Sequence, residues 1–117
     1  MNATLKLNFA HQASALTAAM PWTPSPAAGV WRKPLEREQR ESGRAVRYVP
    51  GASFATHAHP MGEEFLVLSG MFPDEHGHYP AGSWLRSPHL SQHQPFSREG
   101  CTILVKVGHL PATAVTA

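Results

Sequence analysis

Eight histidines stand among 117 residues, and two of them lie two positions apart in the run Gly51-Ala52-Ser53-Phe54-Ala55-Thr56-His57-Ala58-His59-Pro60-Met61-Gly62-Glu63-Glu64. On a strand, residues i and i+2 project from the same face, so His57 and His59 have the spacing that offers one ion two imidazoles. Pro60-Met61-Gly62 then turns the chain, and Glu63 opens the next strand, from which its carboxylate can reach the same point. Imidazole and carboxylate together suit zinc, iron, nickel, copper or manganese. The plainer alternative is a pair of surface histidines beside an ordinary β-turn. Glu64 competes with Glu63, but adjacent strand residues face opposite ways, so only one of the two points inward.

These residues need a scaffold of short strands. The 9 Gly and 11 Pro argue against long helices and for strands joined by turns. Thr4 to Phe9 alternates, with Leu5, Leu7 and Phe9 on one side, and reads as a strand. Ala13 to Met20 has room for a turn or two of helix before Pro21, Pro24 and Pro26 stop it, and Trp22 to Pro26 reads as an extended, exposed connector. Arg32 to Arg47 holds six of the ten basic residues with three Glu between them, the pattern of a solvated strand pair or of a basic surface for a partner. Glu64 to Leu68 is apolar on both faces and predicts cover from two sides. Pro73 to Gly77 and Pro80 to Ser83 are turns, Trp84 to Arg86 a short strand, and Cys101 to Val107 a longer β-branched one.

The composition excludes several classes. Apolar residues make up 42% and charged residues 15%, unlike a disordered chain, and a net charge of +2 is too weak to argue for nucleic acid. Cys101 is the single cysteine, which rules out an intrachain disulfide and a thiolate zinc site, and points to a reducing, cytoplasmic setting. No apolar run approaches the ~20 residues that span a bilayer, and Met1 to Ala10 lacks the order of a signal peptide. Cys101 reads as a buried small hydrophobe, with a redox-sensing thiol as the alternative. His76 and His78 flank Gly77 at a hairpin tip and read as solvent-exposed, while His11 and His109 carry no pattern.

Gly51, five residues, His57-x-His59, three residues, Glu63, six residues and Gly70 resemble the first sequence motif of the cupin superfamily, with every fixed position filled. The resemblance implies an all-β, double-stranded β-barrel of the jelly-roll type, in which Gly51 and Gly70 serve backbone bends and His57, His59 and Glu63 bind a metal inside. Motif spacing favours Glu63 over Glu64. The second cupin motif is only partly kept: Pro80-Ala81-Gly82 holds its middle, but Asp74 takes the opening Gly position, Leu85 the His position, and no Asn follows. Glu63 to Gly70, Asp74-Glu75-x-Gly77, Tyr79 to Arg86, Pro88, Gly100-Cys101 and Val105-Lys106 resemble, more narrowly, the cupin domain of ChrR-type anti-sigma factors, from about Trp22 to Gly108. There the fourth ligand lies in a Ser-x-His-x-Pro segment, which Ser91-Gln92-His93-Gln94-Pro95 matches. The resemblance therefore assigns the fourth ligand to His93, with His89 as its competitor in the same loop.

The expected organisation is an N-terminal strand and arm over 1–21, a barrel over 22–110 and a tail over 111–117. One divalent ion per chain, Zn, Fe, Ni or Mn, is expected on His57, His59, Glu63 and His93; no catalytic residue beyond these is assigned. Phe65 and Val67 share the face of Glu63 and can wall a pocket, and Trp84 and Arg86 share one face, so that Arg86 either meets an anionic substrate or lies at the surface. Two function classes follow: a dioxygenase-like metal enzyme acting on a small organic molecule in the barrel, or a non-catalytic metal- or ligand-sensing module. A homodimer is expected, with the N-terminal strand joining the partner's sheet, and no nucleic-acid or membrane partner. The ChrR-type grip on a sigma factor needs a separate domain with His and paired Cys ligands; the residues before Trp22 contain no Cys, so that mechanism is not expected.

Overall fold

A computed structural model of the chain describes residues 4–5, 10–38, 41–53, 57–93 and 96–111, with the backbone alone at 4–5, 36–38, 41–42, 53, 57 and 93. Its strands are β1 (Thr4–Leu5), β2 (Thr23–Pro24), β3 (Val30–Glu38), β4 (Glu41–Tyr48), β5 (Ala52–Ser53), β6 (His57–Ala58), β7 (Glu63–Asp74), β8 (Gly77–Pro80), β9 (Trp84–Ser87), β10 (Gln92–His93), β11 (Phe96–Ser97) and β12 (Cys101–Val107). The Ala-rich stretch yields a single 3-10 turn, Thr17–Ala19. Among the described residues no helix is long and apolar enough to cross a membrane.

The main sheet runs β1-β3-β4-β12-β7, with β9 on the first part of β7 and β8 on its far end. Two short antiparallel ribbons, β10-β6 and β11-β5, complete a double-stranded barrel. The far half of β7 reaches the second layer, where buried Ser97 on β11 donates its hydroxyl to the Met71 carbonyl at 2.8 Å. The bend falls at Gly70, whose φ of 78° is favourable only for glycine and whose missing Cβ would run into the Gly100 carbonyl.

Period two decides what goes inside. Glu63, Phe65 and Val67 on β7, Cys101, Ile103 and Val105 on β12, and Val46 and Tyr48 on β4 are all buried. Phe72 lies edge-on to Tyr48 at 5.6 Å between ring centroids and tilted against Phe65 at 4.6 Å, geometries that aromatic quadrupoles favour.

Two expectations change. The Glu64-to-Leu68 strand is covered on one side only: Leu66, Leu68, Trp84 and Leu104 are 36, 50, 56 and 41% exposed on the outer face, because no helix or second sheet packs there among the described residues. Trp22 is half-buried rather than exposed, and its ring receives Lys33 Nζ at 4.6 Å and Arg47 Cζ at 5.0 Å, while Lys33 Nζ donates to the Thr17 carbonyl at 2.7 Å. Thr4 and Leu5 pair with Glu38 and Arg37 of the same chain; Leu7 and Phe9, like the tail beyond Pro111, lie outside the described residues.

Candidate functional site

Two antiparallel ribbon strands carry the histidines. In the register of β6 and β10, His57 lies directly opposite His93 and Ala58 opposite Gln92; directly opposed residues in an antiparallel pair share a face of the ribbon.

The loops that follow each strand are clasped to one another. Gly62 N–H returns to the His59 carbonyl at 3.0 Å and Ser91 N–H to the Pro88 carbonyl at 2.9 Å. In each turn the third residue has positive φ, 62° at both Met61 and Leu90, the type II pattern that Pro60 in the second position suits. His59 N–H donates to the Ser91 carbonyl at 3.2 Å, and the His59 carbonyl also accepts from Leu90 N–H at 3.0 Å. The third clasp is a side chain: Met61 N–H donates to His89 Nδ1 at 2.8 Å. An accepting ring nitrogen carries no proton, so His89 is committed through Nδ1 to shaping the loop between His59 and Glu63. From the other side, Gly108 N–H donates to the Gly62 carbonyl at 2.9 Å and Leu110 N–H to the Met61 carbonyl at 2.8 Å.

Glu63 opens β7 straight out of this loop. Its Oε2 lies 3.1 Å from His59 Nε2, with the two side chains 8% and 15% exposed. Burial raises the Glu63 carboxyl to about 7; the Arg44 guanidinium opposes that rise and the Asp74 carboxylate adds to it. Asp74 is buried as well, and its Oδ1 accepts from His76 N–H at 2.8 Å and Gly77 N–H at 3.2 Å. Burial, with the charge of Glu63 adding to it, pushes the Tyr48 phenol far up, so it stays protonated and able to donate.

Glu64 faces the other way, as the parity of a strand requires. Its Oε1 lies 2.6 Å from His109 Nε2 and its Oε2 3.3 Å from Arg86 Nε. The hydrogen bond from His109, reinforced by Arg86, holds the Glu64 carboxyl below the usual range despite partial burial. Arg86 is thus an outer-face residue, 5.0 Å from the Trp84 ring, and not the arginine beside the inward carboxylate. The arginine whose charge acts on that carboxylate is Arg44, which the basic run of Arg32 to Arg47 disguised as a solvated charge. Its strand parity with Val46 and Tyr48 was the available signal. His109 had none, because 45 residues separate it from Glu64.

His76 and His78 are exposed. Cys101 is buried, and burial raises its thiol, the condition of an inert core residue. Among the described side chains, no group of three or more His, Cys, Asp and Glu is placed to hold an ion. The site therefore consists of the His59–Glu63 contact, to which the ribbon register adds the backbone positions of His57 and His93.

No curated protein matches the chain. Among solved structures, anti-sigma ChrR of Rhodobacter sphaeroides, in complex with SigE, superposes with a TM-score of 0.67 at 24% identity over 76% of this chain and 50% of that one. The chain thus spans half the length of ChrR. Acetylacetone dioxygenase from Acinetobacter johnsonii gives 0.74 at 18% identity over 92% and 80%, and an RmlC-like cupin from Shewanella frigidimarina 0.69 at 16% over 83% and 90%. These likenesses establish the double-stranded barrel. Residues 10–111 match the ChrR cupin-like domain, and with most of its length inside that match, the chain belongs to the ChrR cupin-like family.

Proposed function

We propose that the chain is a small metal-binding cupin that holds one divalent ion on His57, His59, Glu63 and His93 and acts on a small organic molecule inside the barrel. The observation that carries this reading is the 3.1 Å contact of His59 Nε2 with the buried Glu63 carboxylate, at the end of a ribbon whose register opposes His57 and His93. A donor set of imidazoles and one carboxylate suits zinc, iron, nickel or manganese. A raised carboxyl at the mouth of an apolar barrel is also what a cation would bring back to the ionised state.

When bound, iron supplies redox chemistry with dioxygen and zinc supplies Lewis acidity without redox chemistry. The chain's own part is to hold and shield. Phe65, Val67 and Val105 wall the interior against water, Glu63 holds a proton until displaced, and the Tyr48 hydroxyl offers a donor. The barrel's likeness to an acetylacetone dioxygenase supports a dioxygenase-like reaction. Membership of the ChrR cupin-like family supports a second reading, a non-catalytic metal or ligand sensor. Aerobic turnover of a small diketone by the Fe(II)-loaded protein separates the two. A homodimer in a reducing, cytoplasmic setting completes the proposal, resting on the exposed outer-face Leu66, Leu68, Trp84 and Leu104 and on the single cysteine.

The primary test is elemental analysis of untagged protein. About one divalent ion per chain is expected; well under about a tenth of an ion, unrecovered by reconstitution, overturns the reading.

A further inference from the structure

Three strands stop at one row. Glu63 opens β7, and its partners in the ladder are Val107, the last residue of β12, and Ser87, the last of β9. The carboxylate that meets His59 therefore hangs on the end rung of the sheet, where local opening costs least. Past that rung, residues 108–110 grip the chain on both sides of Glu63. Gly108 N–H donates to the Gly62 carbonyl at 2.9 Å and Leu110 N–H to the Met61 carbonyl at 2.8 Å, and the Leu110 side chain lies against Gly62. His109, between them, brings Nε2 to 2.6 Å from Glu64 Oε1. The hold thus falls on Met61, Gly62 and Glu64, the residues that flank Glu63. Consecutive strand residues leave opposite faces of one backbone, so a roll of the β7 end that swings Glu63 must swing Glu64 as well. Fixing the outer carboxylate fixes the inner one.

As packing, histidine is a costly choice at position 109. A carboxylate only accepts, so Nε2 carries a proton, and Nδ1 is a bare acceptor in the neutral ring or a second donor in the charged one. That Nδ1 is buried, and no hydrogen-bond partner among the described residues reaches it. An unmet buried polar atom offsets much of what a hydrogen bond to a charged group contributes, and leucine would fill the space without it. What histidine adds is direction. It fixes one oxygen of Glu64 while Arg86 Nε stands 3.3 Å from the other.

We propose that His109, bonded to Glu64 on the outer face, is a positioning residue for Glu63 and aims its carboxylate at His59 from outside the barrel. The consequence for metal affinity rests on the reading of Glu63 as a ligand; the placement of Glu63 does not.

The test pairs crystal structures of metal-free wild type, His109→Leu and His109→Gln with chelator-competition titrations of zinc. In wild type the Glu63–His59 contact stands at 3.1 Å. His109→Leu should open it beyond about 3.5 Å, outside hydrogen-bond distance, with little change in the urea midpoint. It should also weaken zinc binding at least about fivefold, somewhat less than the loss of a group bonded directly to a ligand. His109→Gln keeps an N–H donor for Glu64 and should restore the contact and zinc affinity to within about twofold of wild type. Lost stability alters affinity only through the folded fraction, so a merely structural role would lower the urea midpoint and leave the contact and the zinc affinity of folded protein unchanged. That result, or a loss that His109→Gln does not restore, overturns the positioning role. If His109→Leu does not fold, Glu64→Gln decides, because it weakens the same hydrogen bond and must loosen the contact. Wild type that takes up no zinc, or zinc affinity that is unchanged although the contact opens, overturns the reading of Glu63 as a ligand and leaves His109 to be judged on the contact alone.

Discussion

Replacing Glu63 by Gln removes a carboxyl that burial lifts to about 7, and the consequence for stability has a definite sign. In metal-free protein the folded carboxyl holds its proton up to about 7, whereas the unfolded chain loses it near 4.5. Between those values the folded state binds more protons than the unfolded one, so wild-type stability falls as pH rises. Below the window both states are protonated and nothing is lost; above it the whole penalty is present. A lift from 4.5 to about 7, at about 1.4 kcal/mol per unit, amounts to about 3 kcal/mol. Urea unfolding of chelator-treated wild type and Glu63→Gln at several pH values across that window measures it. The difference between the two removes the histidines common to both. Wild type should lose about 3 kcal/mol relative to Glu63→Gln from the acid to the neutral end. A bound divalent ion reverses the trend for wild type alone, since it binds the ionised carboxylate. Parallel pH profiles for the two metal-free proteins would refute the reasoning, because Glu63 would then ionise in the fold as it does in water.

Three further outcomes are expected. His93→Ala should weaken metal affinity by at least about tenfold, or ~1.4 kcal/mol, whereas His89→Ala should mainly cost about 1–3 kcal/mol of stability by orphaning the Met61 N–H; chelator competition and urea unfolding decide, and metal loss in His89→Ala alone contradicts it. Gly62→Ala should cost more than about 2 kcal/mol, seen as a lower urea midpoint, because its φ is 72° and a Cβ would lie 2.5 Å from Leu110 Cδ1 and 2.7 Å from the Ser87 carbonyl. Light scattering of wild type should give more than the 12.8 kDa of one chain, and Leu104→Glu should shift the population to that mass; a wild-type particle of one chain's mass at tens of micromolar refutes the dimer.

What local spacing dictates was legible in the sequence. Strand parity lets only one of Glu63 and Glu64 point inward, motif spacing picks Glu63, and the structure buries the first while giving the second to Arg86 and His109. Parity likewise puts Phe65 and Val67 inside. Features set by pairing between distant strands were not legible. The neighbourhood of Arg44 depends on which residue of β12 it meets, and His109 meets Glu64 only because Lys106 pairs with Glu64 in the register of β12 and β7. The apolar outer face of β7 misled for a related reason: hydrophobic pattern reports what a strand can bury, not what else the chain has left to cover it. His89, weighed only as a ligand, turned out to hold a backbone N–H, a use that no motif encodes.

The clasped turns bear on the entropy of whatever binds between His59 and Glu63. A loop that had to be ordered on binding would charge its lost backbone freedom, roughly 1–2 kcal/mol per residue, against affinity. Here His59 is already tied at its amide and its carbonyl, and Met61 and Gly62 are tied again by the strand end after β12. That cost is met during folding, so binding draws on side-chain freedom alone. It follows that tightness at this site depends on residues that touch no ligand: clipping the chain before Gly108 should slow capture and speed release together, while leaving every donor atom in place.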